Sequence, residues 1–170
     1  VDMRLRPSGS QGPVATSLES FRDYQKNSAW TWEKLALTRA RVVSGDADLG
    51  QAISGAIIAS LCAERDAEAT RKDVLDMRRL MVKEQGASGL WDIKRARGGL
   101  VEVEFIAQFL QLIHARRHPE ILDTNTHAAL GKLTAAGLLE AGVAGELREA
   151  CLLHHRITQV LRLCVTGAYD

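Results

Sequence analysis

The sequence predicts an all-α fold, a bundle of about six to seven helices with a short β-strand before it. From residue 16 onwards, apolar side chains recur every three or four residues, the spacing of amphipathic helices. Glycine and proline divide this pattern into segments of ordinary helix length. The first seven residues instead alternate with the two-residue period of a strand. With 46% apolar and 25% charged residues among 170, the chain can bury a substantial core.

The strand pattern comes from the alternation of apolar and charged side chains in Val1, Asp2, Met3, Arg4, Leu5 and Arg6. Pro7 ends the strand because proline has no N–H group for a sheet hydrogen bond. The charged face suits a carboxylate that holds a divalent metal, Asp2, and two guanidiniums that hold phosphates, Arg4 and Arg6. On spacing alone, a solvated edge strand is the simpler interpretation.

Each helix has a start or stop signal of its own. Starts are marked by a threonine or aspartate that precedes a carboxylate or an apolar run by three residues. Ends are marked by glycine or by His118-Pro119. Basic residues near position 41 suit the C-terminus of the second helix. Seven helices are predicted. The first begins at a Thr16–Glu19 capping box, the second covers about 29–41, and the third runs from Asp46 or Asp48 through Leu61. The fourth covers about 67–84, the fifth about 100–116, the sixth begins near Thr126, and the seventh covers about 144–165.

Charge and cysteine content narrow the possible partners. The net charge of +1 argues against bulk attraction to nucleic acid or to an anionic membrane. No apolar run reaches the length of a membrane span. The three cysteines are widely spaced and show no metal-ligand pattern, as expected of free thiols in a reducing cytoplasm. Because the chain opens inside a strand pattern without a starting methionine, we expect it to be part of a longer protein.

The fifth predicted helix carries an isolated carboxylate. Glu104 shares a narrow polar stripe with two glutamines, whereas Glu102 falls on an otherwise apolar arc. A carboxylate buried there needs a cationic partner, because an unpaired buried charge costs several kcal/mol. The sequence predicts that Glu102 is partly buried and paired with a cation. A structural salt bridge is the simpler interpretation, and a functional role for Glu102 and Glu104 stays open. The candidate partners are Lys94, Arg95 and Arg97, or a basic residue on another helix such as Arg39 or Arg41.

A basic loop, residues 95–99, precedes this helix. Arg95 and Arg97 stand beside Gly98 and Gly99 at the helix N-terminus, where free N–H groups and the helix dipole favour an anion. This arrangement indicates phosphate binding, although two glycines alone also mark an ordinary turn.

The histidines and tryptophans are interpreted as structural. His154 falls on the core stripe of the last helix, and no group of histidines has the spacing of a metal site. Trp30 and Trp32 are expected in the core rather than on a stacking platform.

Several blocks of the sequence resemble a signature of the glutamine synthetase adenylyltransferase family. They are VDMRLRPSG at 1–9, DYQKN at 23–27, AWTWE at 29–33, ALTRARVVSGD at 36–46, DIK at 92–94 and GGLVEVEFIAQ at 98–108. Many family members have Asp where this chain has Glu102. The blocks at 1–9 and 29–33 look like the adenylylating half of the family's two nucleotidyltransferase halves.

The resemblance implies an architecture and a reaction. Each half of such an enzyme is similar to the polymerase β nucleotidyltransferase superfamily and is followed by a helical bundle. Residues 1–15 would then be the last strand and loop of the nucleotidyltransferase domain, and 16–170 the bundle. The whole enzyme would be cytoplasmic and would transfer AMP from ATP to a tyrosine of glutamine synthetase, with Mg²⁺ at the phosphates and the PII signal protein as a regulator.

The resemblance also implies roles for individual residues. Asp2 matches the third of three metal-binding carboxylates and would be the catalytic metal ligand, with Arg4 and Arg6 near the triphosphate. The other two carboxylates belong to a Gly-Ser…Asp-x-Asp motif that this sequence lacks. The fragment alone is therefore expected to be inactive and to bind neither ATP nor Mg²⁺. The basic loop would approach phosphate or the protein substrate.

Two alternatives remain open from the sequence. A uridylyltransferase that modifies the PII signal protein resembles the same catalytic fold and helical bundle. A regulatory helical module without a catalytic role would show the same periodicity. The tryptophans of the second helix and its Arg39-Ala40-Arg41 run favour the adenylyltransferase.

Overall fold

A computed structural model of the protein describes residues 12–13, 15–85 and 94–164. These ranges contain seven α-helices, one 3₁₀ turn at Pro119–Ile121, and no strand, which confirms the all-α class. The predicted strand at residues 1–7 lies outside the described residues. The helices are α1 (Leu18–Asn27), α2 (Thr31–Leu37), α3 (Ala47–Leu61), α4 (Ala67–Gln85), α5 (Leu100–His114), α6 (Thr126–Ala135) and α7 (Ala141–Cys164).

The cap of α1 is one residue later than predicted. Ser17 adopts extended backbone angles, and its Oγ accepts a hydrogen bond from the Ser20 N–H at 3.2 Å. The Thr16–Glu19 capping box is therefore wrong, because the helix begins at Leu18 rather than Ser17. At α3 the sequence left two candidates, and Asp46 is the one that caps, through an Oδ1 contact of 2.9 Å with the Leu49 N–H.

Helix α2 is shorter than predicted, and its tryptophans lie on the surface. Trp30 precedes the helix and its backbone N–H donates to Glu33 at 2.9 Å, so its main chain, not its indole, serves the helix start. Trp30 is 71% exposed, and Trp32 is 39% exposed. The expectation that both tryptophans are in the core is wrong. After Leu37 the chain continues in tighter turns to Ala40.

Helix α5 is the centre of the bundle, with α2 and α4 on one side and α6 and α7 on the other. It contributes Leu112 to one buried cluster, with Leu35, Leu37, Ile57 and Leu61. It contributes three residues to a second cluster, which consists of Leu100, Val103, Ala107, Leu130 and Cys151. Burying this much apolar surface on two sides makes α5 the helix on which the others are assembled.

The polar stripe of α5 also faces protein. Gln108 and Gln111 are buried, and the Gln111 Oε1 accepts a hydrogen bond from the Asp123 N–H at 2.9 Å. This bond fixes the turn that leads into α6 and satisfies a buried amide that would otherwise be costly.

Candidate functional site

The basic loop before α5 is a compact turn in the described part, residues 94–99. The Gly99 N–H donates to the Ala96 carbonyl at 2.8 Å, and the Val101 N–H donates to the Lys94 carbonyl at 3.0 Å. Gly98 has φ +78°, in the left-handed region that favours glycine. Gly99 is extended and directly precedes the helix. The glycine pair thus has one residue that reverses the chain and one that starts α5.

Glu102 fastens this loop to α4 and α5. Its Oε1 lies 2.7 Å from Nε of Arg78 on α4, and its Oε2 accepts the Gly98 N–H at 2.8 Å. The same guanidinium donates to the Arg95 carbonyl at 3.2 Å. The two side chains are 30% and 20% exposed. We call this set of contacts the Glu102–Arg78 clamp.

The prediction for Glu102 is confirmed in kind and corrected in detail. The carboxylate is partly buried and paired with a basic residue on another helix, as expected. The partner is Arg78, which the sequence argument did not name, and it is not among Lys94, Arg95, Arg97, Arg39 and Arg41. Glu102 pairs with Arg78, which helix packing brings alongside it, rather than with the cations nearest to it along the chain. A clue was present, since Arg78 follows Met77 on the inward stripe of α4.

Glu104 forms a second, separate ion pair. Its Oε1 lies 2.7 Å from the guanidinium of Arg39, which follows α2, and the side chains are 17% and 50% exposed. Glu102 and Glu104 point to different neighbours because residues two apart are about 200° apart on a helix. Each carboxylate therefore joins α5 to a different part of the first half of the bundle.

His154 brings α7 to the same loop. Its Nε2 lies 3.2 Å from the Gly98 carbonyl oxygen. A carbonyl only accepts, so Nε2 carries the proton and donates. Nδ1 is buried without a hydrogen-bond partner in the described part of the chain. His154 is half-buried and belongs to neither buried cluster, so the expectation of a core histidine is wrong, and one of its two ring nitrogens has a hydrogen-bond partner.

The clamp changes which groups of the loop are available to an anion. The amides of Gly98 and Gly99 already donate to Glu102 and to the Ala96 carbonyl, so they have acceptors within the protein. Lys94 and Arg97 are exposed, whereas Arg95 is half-buried. Phosphate binding at this loop stays a prediction, and the side chains, rather than the glycine amides, are its better candidates.

The predicted metal site cannot be compared with the described residues. Asp2, Arg4 and Arg6 are outside the described residues. Within residues 12–13, 15–85 and 94–164, no three His, Cys, Asp or Glu side chains lie close enough together to hold a metal ion. All three cysteines are free, as predicted. In the same ranges, no helix has both the length and the apolarity that a membrane crossing needs.

Two family models match different parts of the chain. Residues 1–56 match the model described as glutamate-ammonia ligase adenylyltransferase, and residues 68–167 match the one described as GlnD PII-uridylyltransferase. Both descriptions name enzymes that transfer a nucleotidyl group, and this is the class to which the chain is related. The second model covers most of α4 to α7, so this part of the bundle resembles the PII-uridylyltransferase model.

Curated relatives match the chain from end to end. It is 51% identical over 169 residues to the bifunctional glutamine synthetase adenylyltransferase/adenylyl-removing enzyme of Bradyrhizobium diazoefficiens, with 99% of this chain covered. The enzyme of that name from Rhodopseudomonas palustris is 49% identical over 170 residues, the whole chain, and that from Xanthobacter autotrophicus is 49% identical over 165 residues, 97% of the chain. The chain belongs to the glutamine synthetase adenylyltransferase family, and it spans 17% of the length of these relatives.

Proposed function

We propose that the chain is the helical region of the adenylylating half of a glutamine synthetase adenylyltransferase. The observation that carries this proposal is the 51% identity over 99% of the chain to a relative of that name. Residues 1–15 would contribute the last strand and loop of the catalytic domain, and residues 16–170 the bundle. The resemblance of the blocks at 1–9 and 29–33 supports the adenylylating half over the adenylyl-removing one.

In the proposed reaction, the hydroxyl oxygen of a tyrosine of glutamine synthetase attacks the α-phosphorus of ATP. A tyrosyl O–P bond forms, the bond between the α- and β-phosphates breaks, pyrophosphate leaves, and the hydroxyl proton passes to a base. Mg²⁺, when bound, neutralises the phosphate charge. Asp2 would hold that metal, and Arg4 and Arg6 would hold phosphate oxygens or position the strand.

The bundle would contribute a positioned basic loop. The Glu102–Arg78 clamp and the His154 contact hold the loop by its backbone, while Lys94 and Arg97 stay exposed. Because the backbone of the loop is already fixed, a ligand that binds to Lys94 and Arg97 does not have to order it, and this lowers the entropic cost of binding. Its partner would be phosphate or an acidic surface of the protein substrate.

Uridylyl transfer to a PII signal protein is the second candidate. The match of residues 68–167 to the PII-uridylyltransferase model favours it for the bundle alone. The identities of 49–51% over nearly the whole chain favour adenylyl transfer. In the adenylyltransferase, the PII signal protein would be a regulator rather than the substrate, and the enzyme would work in the cytoplasm.

Substitution of Asp2 tests this proposal in an enzyme that contains this chain and a preceding nucleotidyltransferase region. Asp2→Asn should lower AMP transfer to glutamine synthetase by orders of magnitude, because a two-metal site depends on carboxylate charge. Asp76→Asn is the matched control, since among the described residues Asp76 pairs with its helix neighbour Arg79 on the exposed face of α4 and with no other cation. Near-normal transfer by Asp2→Asn would refute the metal-ligand role.

The choice between the two reactions needs a second measurement. The enzyme is supplied with ATP and glutamine synthetase, and separately with UTP and a PII protein. AMP transfer alone supports the proposal, whereas UMP transfer alone supports the uridylyltransferase. The 170-residue chain by itself should show neither activity, and calorimetry should detect no micromolar, metal-dependent ATP binding. Such binding would place the nucleotide site in the bundle.

A further inference from the structure

A cleft lies between the first three helices, away from the clamped loop. It is formed by α1, α2, α3 and the start of α4, and its volume is about 500 Å³. Alanines at 56, 59 and 63 form one wall, which leaves room that larger side chains would fill. We call it the α1–α3 cleft. Its volume lies in the range typical of small-molecule sites, about 300–1,000 Å³.

The cleft is lined by more positive than negative charge. Four cations line it, Arg22, Lys26, Lys34 and Arg65. The carboxylate among its lining residues is Glu64, whose Oε2 is 2.5 Å from the guanidinium of Arg116. In the described ranges, no carboxylate forms an ion pair with any of the four cations. An anion from outside would therefore meet cations that the described residues leave without a counter-ion.

Lys34 is held in place by neutral acceptors. Its Nζ donates to the Gln25 carbonyl and to the Ser60 Oγ, the latter at 3.1 Å. Partial burial, together with the nearby charge of Arg65, lowers the pKa of Lys34 to about 8, against a smaller opposite effect of Glu33. An ammonium has three donors, so one remains for a ligand.

Arg65 is anchored beside Lys34, because both side chains contact Ser60. Its Nη2 donates to the Ser60 carbonyl at 2.5 Å and to the Leu61 carbonyl at 3.1 Å, both at the end of α3. The carbonyl dipoles of that helix end offset part of its charge. Arg22 and Lys26 stand one turn apart on α1 and are exposed, so they add charge at the mouth of the cleft.

We propose that the α1–α3 cleft binds a small anion with two or more negative charges, a phosphate or a polycarboxylate, between Lys34 and Arg65. Charge-assisted hydrogen bonds from a fixed ammonium and a fixed guanidinium recognise both kinds of oxygen. The proposal stands on the charges and shape of the cleft and is independent of the transfer reaction. Occupancy would tie α1 and α2 to α3.

Titration calorimetry of the 170-residue chain tests the proposal, with inorganic phosphate and citrate as the two probes and chloride as the control for ionic strength. Saturable one-to-one binding of either probe is expected, and the tighter probe identifies the oxygen chemistry. Lys34→Gln should weaken binding by about tenfold, the effect of one charge-assisted bond. Lys72→Gln, an exposed lysine on α4 outside the cleft, changes the net charge equally and should have less than about a twofold effect, as expected of a screened surface charge.

Lys26→Gln serves as a second variant, because its side chain is exposed and its loss does not remove a contact of the folded chain that the structure describes. It should weaken binding more than Lys72→Gln does. Circular dichroism confirms that each variant is folded. The absence of saturable binding for both probes would overturn the proposal, as would equal losses in the Lys34→Gln, Lys26→Gln and Lys72→Gln variants.

Proton uptake provides an independent readout. At pH 8, citrate is fully ionised and Lys34 is about half-protonated. Bound anion favours the charged lysine, so binding should take up protons, and the enthalpy should vary with the ionisation enthalpy of the buffer. In the described part of the chain, the other charged groups that line the cleft or act on the pKa of Lys34 are Arg22, Lys26, Glu33, Glu64 and Arg65. Affinity should fall as the pH rises through 8, and a buffer-independent enthalpy would contradict the role of Lys34.

Discussion

Replacing Glu102 by glutamine tests whether the clamp stabilises the bundle. The change keeps the size of the side chain and one acceptor oxygen, but removes the charge shared by Arg78 and the Gly98 N–H. The new NH₂ group must face one of these two donors. Hydrogen bonds to charged groups contribute about 1.5–3 kcal/mol when buried, and exposed pairs only about 0–1 kcal/mol.

The exposure of the Glu102–Arg78 pair decides where in this range its contribution to stability falls. With the side chains 30% and 20% exposed, the pair is neither solvated nor fully buried. We therefore expect Glu102→Gln to lower the free energy of unfolding by about 2 kcal/mol. For a chain of this size, this loss corresponds to a fall of roughly 4–8 °C in melting temperature.

The assay is urea denaturation of the 170-residue chain, followed by circular dichroism. A double-mutant cycle with Arg78→Met should give a coupling energy of about 1–2 kcal/mol, as for residues in direct contact. The control is Glu68→Gln in the exposed Glu68–Arg71 pair of α4, which should change stability by less than about 0.5 kcal/mol. Equal effects of Glu102→Gln and Glu68→Gln would refute the structural role. If stability is unchanged and AMP transfer by the longer enzyme falls, the role of Glu102 is functional instead.

Two further pairs of substitutions, each with its control, test the local backbone. Gly98→Ala should destabilise the chain by about 1–2 kcal/mol, because φ +78° is strained for alanine, although the added Cβ would meet no atom within 4 Å. Gly55 on α3 is equally open and has no positive φ, so Gly55→Ala should instead stabilise the chain by roughly 0.5–1 kcal/mol. Urea titrations that show the same sign for both substitutions would contradict the strained backbone at Gly98. Ser17→Ala should lower the free energy of unfolding by about 1 kcal/mol, the usual contribution of an N-cap, and Thr16→Ala should have little effect. If thermal melts show the larger loss for Thr16→Ala, the capping box predicted at Thr16 is correct instead.

Helix positions were largely predictable because their signals are local. The 3.6-residue period of apolar side chains, the aspartate before α3 and the glycines before α5 lie within a few residues of the structure they determine. Errors occurred where two similar signals were adjacent, as with Thr16 and Ser17 at the start of α1. They also occurred where hydrophobicity was taken to mean burial, as with Trp30.

The sequence by itself determined the all-α class, the order of the helices, the family and the need of Glu102 for a cationic partner. Only the tertiary structure decided that this partner is Arg78, that His154 contacts the Gly98 carbonyl, and that Lys34 and Arg65 line one cleft. The physical reason is distance along the chain. Arg78 and Glu102 are 24 residues apart, and His154 and Gly98 are 56 apart, so their pairing depends on how whole helices pack. Helix packing depends on many apolar contacts between distant segments, so no short stretch of sequence determines which helices pack together.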